Sequence, residues 1–237
     1  MDTSMQYILD KFGQCNIFSL TSALQVKSIP ATDKKRLLDE NLNDEKQYLL
    51  DRYEYFSQNE HLSVDFEALF NDIVKECEQF CEDVKNSSFP ITARFNGTSP
   101  FICDHVGKDT KYSEPRGLIW HFYHNIQNVL MANEDLANMP ETKAFQLDTV
   151  VQNADSALVN NFIRHEYTFT SHCTKGPLQL VLYFRLNDET KKWLLQFKTD
   201  FDLDGSTYED LALYSDEKLE FSSCTHEGFN SLDDNNF

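Results

Sequence analysis

The chain has 237 residues, with 39 acidic side chains against 21 basic ones and a formal charge of −18. That length makes one large domain or two small ones, either able to bury a core without disulfide or metal staples. Hydrophobic residues at 41% and aromatics at 13% exclude a disordered acidic tail, and the surplus negative charge repels nucleic-acid phosphates and anionic membranes.

No apolar run of about 18 residues is present, so no membrane span is expected. The opening Met1-Asp2-Thr3-Ser4 lacks the basic and apolar regions of a secretion signal, which makes the cytoplasm the expected compartment. The six cysteines, Cys15, Cys77, Cys81, Cys103, Cys173 and Cys224, show no CxxC spacing and suit a reducing environment. Asn86-Ser87-Ser88 and Asn96-Gly97-Thr98 match the glycosylation pattern and, without a secretion signal, read as chance.

The first 88 residues read as helices. Asp2 or Thr3 offers a cap for a short helix ending near Gly13, and Phe18-Ser19-Leu20 opens a second. Pro30 breaks the chain, Thr32-Asp33 starts the next helix, and Asn43-Asp44 restarts one carrying Tyr48, Leu49, Tyr53 and Phe56. Ser63 is the expected cap of the clearest element. There Phe66, Leu69, Phe70, Ile73, Val74, Cys77, Phe80, Cys81 and Val84 follow the spacing of one buried helical face.

From Phe89-Pro90 the pattern changes: Ile91 to Phe95 alternates like a strand and Asn96-Gly97 supplies a turn. A helix is predicted over 115–132, with Leu118, Ile119, Phe122, Tyr123, Ile126, Val129 and Leu130 on its apolar face. Phe145, Leu147, Thr149 and Val151 alternate, whereas Leu158, Val159, Phe162 and Ile163 have helical spacing. The last third predicts an antiparallel meander: Tyr167–Thr170, a turn at Lys175-Gly176-Pro177, Leu178–Leu186, Trp193–Phe201, Leu211–Tyr214 and Leu219–Phe221. The expected fold is therefore α+β, N-terminal helices packed with a C-terminal antiparallel β-meander sheet. Residues 1–88 form the helical region, 89–231 the α+β region (or both one continuous domain), and 232–237 a frayed tail.

Asp200-Phe201-Asp202-Leu203-Asp204-Gly205 resembles the start of an EF-hand loop, with acids at positions one, three and five and Gly at six. Position twelve is Leu211 rather than the bidentate Glu, although Glu209 and Asp210 stand beside it. The bland reading of this stretch is a solvated acidic loop. Cys103/His105, His172/Cys173 and Cys224/His226 could supply zinc ligands if they converged, but only residues two apart share a strand face. His121 and His124 share a helix face that reads as wet and polar.

GxSxG, P-loop, GxGxxG and HExxH motifs are all missing, so no catalytic residue and no cofactor is assigned. The functional expectation is an acidic binding protein, of the kind in which an immunity protein or inhibitor neutralises a basic protein partner. Its expected contact residues are Asp200, Asp202, Asp204, Glu209 and Asp210. The alternatives are a metal-dependent enzyme built on the Cys/His clusters and a calcium-binding module on the Asp200–Asp210 loop.

Overall fold

The computed structural model describes residues 4–59, 65–86, 116–147, 150–151, 156–170, 175–203, 207–225 and 228–232. The expected strand Ile91–Phe95, the Asn96-Gly97 turn, the Ser63 cap and the 232–237 tail beyond Leu232 lie outside these residues. The fold is α+β, with an antiparallel sheet built mainly from the C-terminal third. Two compact units are formed: Met1–Asp33 with Pro140–Phe237, and Lys34–Met139. The first strand of the chain belongs to the unit that holds the sheet.

The helical unit contains most of α2 (Ala31–Asn59), α3 (Phe66–Asn86) and α4 (Arg116–Asn138). α2 fuses the two helices expected on either side of Asn43. No Gly or Pro interrupts it, and the two asparagines at its middle are occupied: Asn41 Nδ2 donates to Asn133 Oδ1 at 2.9 Å, and Asn43 Nδ2 to the Asp39 carbonyl at 3.1 Å. Asp65 caps α3, its Oδ1 accepting from the Glu67 and Ala68 amides at 3.0 and 3.2 Å. The buried stripe of α3, Phe66, Leu69, Phe70, Ile73 and Cys77, meets Leu118, Phe122, Tyr123 and Ile126 of α4. Each such side chain contributes about 1.5–3 kcal/mol on burial. The Phe80 and Val84 side chains lie outside the described set.

The sheet unit opens with α1 (Met5–Lys11), then β1 (Ile17–Ser22) and β2 (Ile29–Pro30). After the helical unit come β3 (Glu141–Thr142), α5 (Ser156–Asn161), β4 (Phe162–Thr170), β5 (Lys175–Arg185), α6 (Asp188–Leu194), β6 (Tyr208–Ser215), β7 (Lys218–Cys224) and β8 (Phe229–Asn230). The main sheet runs β4-β5-β1-β6-β7-β8, every neighbouring pair antiparallel, and β2 pairs with β3 in parallel. β1 thus splits the meander into two hairpin-connected halves. The helix expected at Phe18-Ser19-Leu20 is a central strand instead. Phe18 faces Phe184 and Leu213, and Leu20 faces Leu182, so the apolar alternation is satisfied across strands. With Phe221 opposite Leu213, these side chains form a buried layer on one sheet face.

Three boundaries also differ from expectation. β5 takes in the Lys175-Gly176-Pro177 turn from its first residue. The helical spacing through Ile163 ends at Asn161, and Phe162 begins β4. Trp193–Phe201 is not a strand: it holds the end of α6, a turn and a short 3-10 segment, Asp200–Leu203. Among the described residues no helix is long and apolar enough to cross a membrane.

Candidate functional site

The acidic segment begins where β5 ends. Asn187 caps α6, its Oδ1 accepting from the Glu189 and Thr190 amides at 3.0 and 3.1 Å. Thr190 Oγ1 accepts in return from the Asn187 amide at 2.9 Å, closing a capping box. Asp188 and Glu189 in the first turn meet the positive end of the helix dipole. Trp193 then buries its ring edge-on to Phe197 and Tyr208, at centroid distances of 5.1 and 5.9 Å. This anchors the turn that leads into the 3-10 segment.

The sequence-expected contact residues separate here. Asp202 is exposed and accepts from the Thr199 amide at 2.9 Å. Glu209 is half-buried, and Asp204 lies outside the described residues. Asp200 and Asp210 are fully buried, which corrects the expectation of a solvated acidic loop. The 3-10 segment turns Asp200 inward, where its Oδ2 accepts from Asn230 Nδ2 at 3.1 Å. Asp210 sits in a bulge of β6: Thr21 faces Glu209 while Ser19 faces Ala212, so an extra residue must be absorbed between them. Asp210 takes φ 51, a left-handed conformation that Asp tolerates better than the apolar residues around it. Its amide donates to Thr225 Oγ1 at 2.9 Å, and the Thr225 amide donates to its Oδ1 at 2.8 Å.

Ser223 completes this buried polar set, accepting from the Leu211 amide at 3.1 Å. Thr225 and Asn230 were invisible to the sequence argument as partners of the acids, since each pairing spans more than ten residues. Two further exposed acids of the segment, Asp216 and Glu217, form the β6–β7 turn. Asp216 is pinned from β1's side of the chain: Asn16 Nδ2 donates to its Oδ1, and its amide donates to Asn16 Oδ1, each at 2.8 Å.

Of the proposed zinc ligands, Cys224 is fully buried. Cys103, His105, His172, Cys173 and His226 lie outside the described residues. Among the described residues no three His, Cys, Asp or Glu side chains are arranged to hold a metal ion. His121 and His124 are half-buried rather than on a wholly wet face. His124 stacks on Trp120 at 4.6 Å, and burial holds both imidazoles below the usual histidine range.

A further cluster occupies the sheet face opposite the apolar layer. Arg164 lies 3.6 Å over the Tyr183 ring and donates to Glu166 Oε2 at 2.8 Å, and Tyr183 Oη donates to the same oxygen at 3.1 Å. Burial, then Tyr214 and Glu166, pushes the Tyr183 hydroxyl well above its ordinary range. The groups satisfy one another, so the cluster stiffens this face and offers no activated nucleophile. The alternating Arg164-His165-Glu166 on a strand was the available signal for it.

Charge is concentrated where the acidic segment lies. Residues 187–237 hold 13 Asp and Glu against 4 Lys, half of the net charge in about a fifth of the chain. No protein-family model, curated protein or solved structure matches this chain.

Proposed function

We propose that this protein binds a basic protein partner through the acidic surface of its C-terminal segment, as an inhibitor masks a basic toxin. The observation that carries the reading is the concentration of acid in residues 187–237. Among its described members Asp188, Glu189, Asp202, Asp216 and Glu217 are exposed, and Glu209 and Glu220 are half-buried. Asp200 and Asp210 are interior and take no part in contact. Their neighbours supply the fixed geometry instead, because Asp202 is tied to Thr199 and Asp216 to Asn16. Carboxylates held in place lose less freedom on association than carboxylates on a loose tail. A field of one sign steers a partner of the opposite sign and raises its association rate.

The test is capture with the full chain as bait in lysate of its native host, followed by mass spectrometry of what is retained. The expected catch is a protein of basic net charge whose activity falls when the complex forms. Capture of an acidic protein, or of a partner retained equally by an Asp202→Asn, Asp216→Asn, Glu217→Gln variant, would contradict the proposal.

A further inference from the structure

Two polar atoms of α4 are buried without a hydrogen-bond partner among the described residues: Gln127 Oε1, on a side chain only 2% exposed, and His124 Nδ1. Residues three apart on a helix are neighbours on one face. A carbonyl oxygen only accepts, and an imidazole nitrogen donates whenever it carries a proton. The two atoms are therefore complementary, but the ring is held elsewhere. It lies parallel to Trp120 with centroids 4.6 Å apart, and its Nε2 stands 3.2 Å from Nδ2 of exposed Asn128. Trp120 is 40% exposed, and the imidazole covers part of its indole.

The charged groups that act on His124 are His121 on its own helix and Glu45 on α2. Asn41, bonded to Asn133, and Arg52, acting on His121, set α2 antiparallel to α4, and buried Glu45 lies between those two contacts. Its negative charge favours a charged imidazole, whereas burial and His121 oppose one more strongly. α3 packs on the Leu118, Phe122 and Ile126 side of α4, and its Glu76 accepts from Tyr123 Oη.

We propose that His124 is a proton-operated switch with two seats: neutral, it covers Trp120; protonated, it donates through Nδ1 to Gln127 Oε1 and uncovers the indole. A neutral ring has little to gain by leaving its stack, because a neutral hydrogen bond and an aromatic contact are of similar strength. Protonation changes the balance. A hydrogen bond from a charged donor is roughly twice as strong as a neutral one. Staying in place would give a cation–π contact, weak at an exposed ring, and would leave a charged N–H enclosed without an acceptor. Both ring nitrogens then donate, and Asn128 can turn its Oδ1 toward Nε2 because its amide is free to rotate in solvent. Acidification thereby changes what the helical unit presents to solvent. The switch stands separately from the partner proposal.

The experiment follows the His124 ring protons by NMR in the full chain, from about pH 7.5 to about pH 4.5, around the ordinary histidine range. Their resonances are assigned by their loss in His124→Gln. At the upper pH the indole ring current is expected to displace them upfield. That displacement should vanish as the ring titrates, with a midpoint below about 6.5. Gln127→Met keeps the stack and removes the acceptor, so its midpoint should fall by about one pH unit. Gln47→Met, at an exposed position of α2, should leave the midpoint where it is. If Gln127→Met does not fold, the wild-type titration decides by itself. No displacement at the upper pH, a displacement that persists to the lower one, or equal midpoints in wild type and Gln127→Met would overturn the proposal.

Discussion

His124 lies nearly parallel to Trp120, with the imidazole lowered in basicity first by burial and then by neighbouring His121, against a smaller opposing pull from Glu45. His121 is lowered in the same direction by burial and by Arg52. A histidine whose folded pKa lies below its unfolded value, about 6.5, takes up protons more readily when the chain unfolds. Stability is then complete above about pH 6.5 and is lost as pH falls through the folded value. The urea midpoint, read by circular dichroism, should be lower at about pH 5.5 than at about pH 7.5. The difference should shrink in His124→Gln, and an unchanged difference would mean that other groups carry it. Phe70 tests the core more bluntly. It is buried and stacked on Phe66 at 5.9 Å, so Phe70→Ala should cost about 3–5 kcal/mol in the same urea measurement. A midpoint equal to wild type would place that ring outside the core.

At the scale of elements, α6 depends on Asn187, which closes a capping box and also donates through Nδ2 to Asn161 Oδ1 at 2.6 Å. Asn187→Ala removes both, and the expected loss is about 2 kcal/mol, the upper end for a cap. Denaturant midpoints of wild type and variant measure it; a loss below a few tenths would show the cap to be dispensable. This element was half legible in the sequence. Asn187-Asp188-Glu189-Thr190 is a helix start, but the apolar Trp193, Leu194, Leu195 and Phe197 that follow read as a buried strand. α3 and α4 were legible because their apolar residues keep helical spacing over many turns, and that periodicity is local. β1 was not, because six residues carry too short an alternation to outweigh a helical frame on both sides. Its proof lies in partners at Phe184 and Leu213, far along the chain. The acidic site was legible only as charge. Which carboxylates face solvent depends on Asn230 and Thr225, and no local spacing announces those contacts.

At the scale of the whole molecule, the charge of −18 sets a field that acts beyond any single contact. Self-repulsion of that field opposes compaction, so moderate salt should raise the unfolding temperature while it weakens association with a basic partner. A thermal scan at two ionic strengths reads the first effect, and a lower temperature in salt would contradict it. The second effect bears on the central claim directly. The decisive measurement is the association rate of the captured partner with wild type and with Asp202→Asn, Asp216→Asn, Glu217→Gln, from about 0.1 M to about 1 M salt, as the Debye length falls from about 10 Å to about 3 Å. The acidic-surface account predicts a wild-type rate that drops about tenfold or more across the series, and a variant that starts slower and varies less. A rate independent of salt and unchanged by the three substitutions would contradict it.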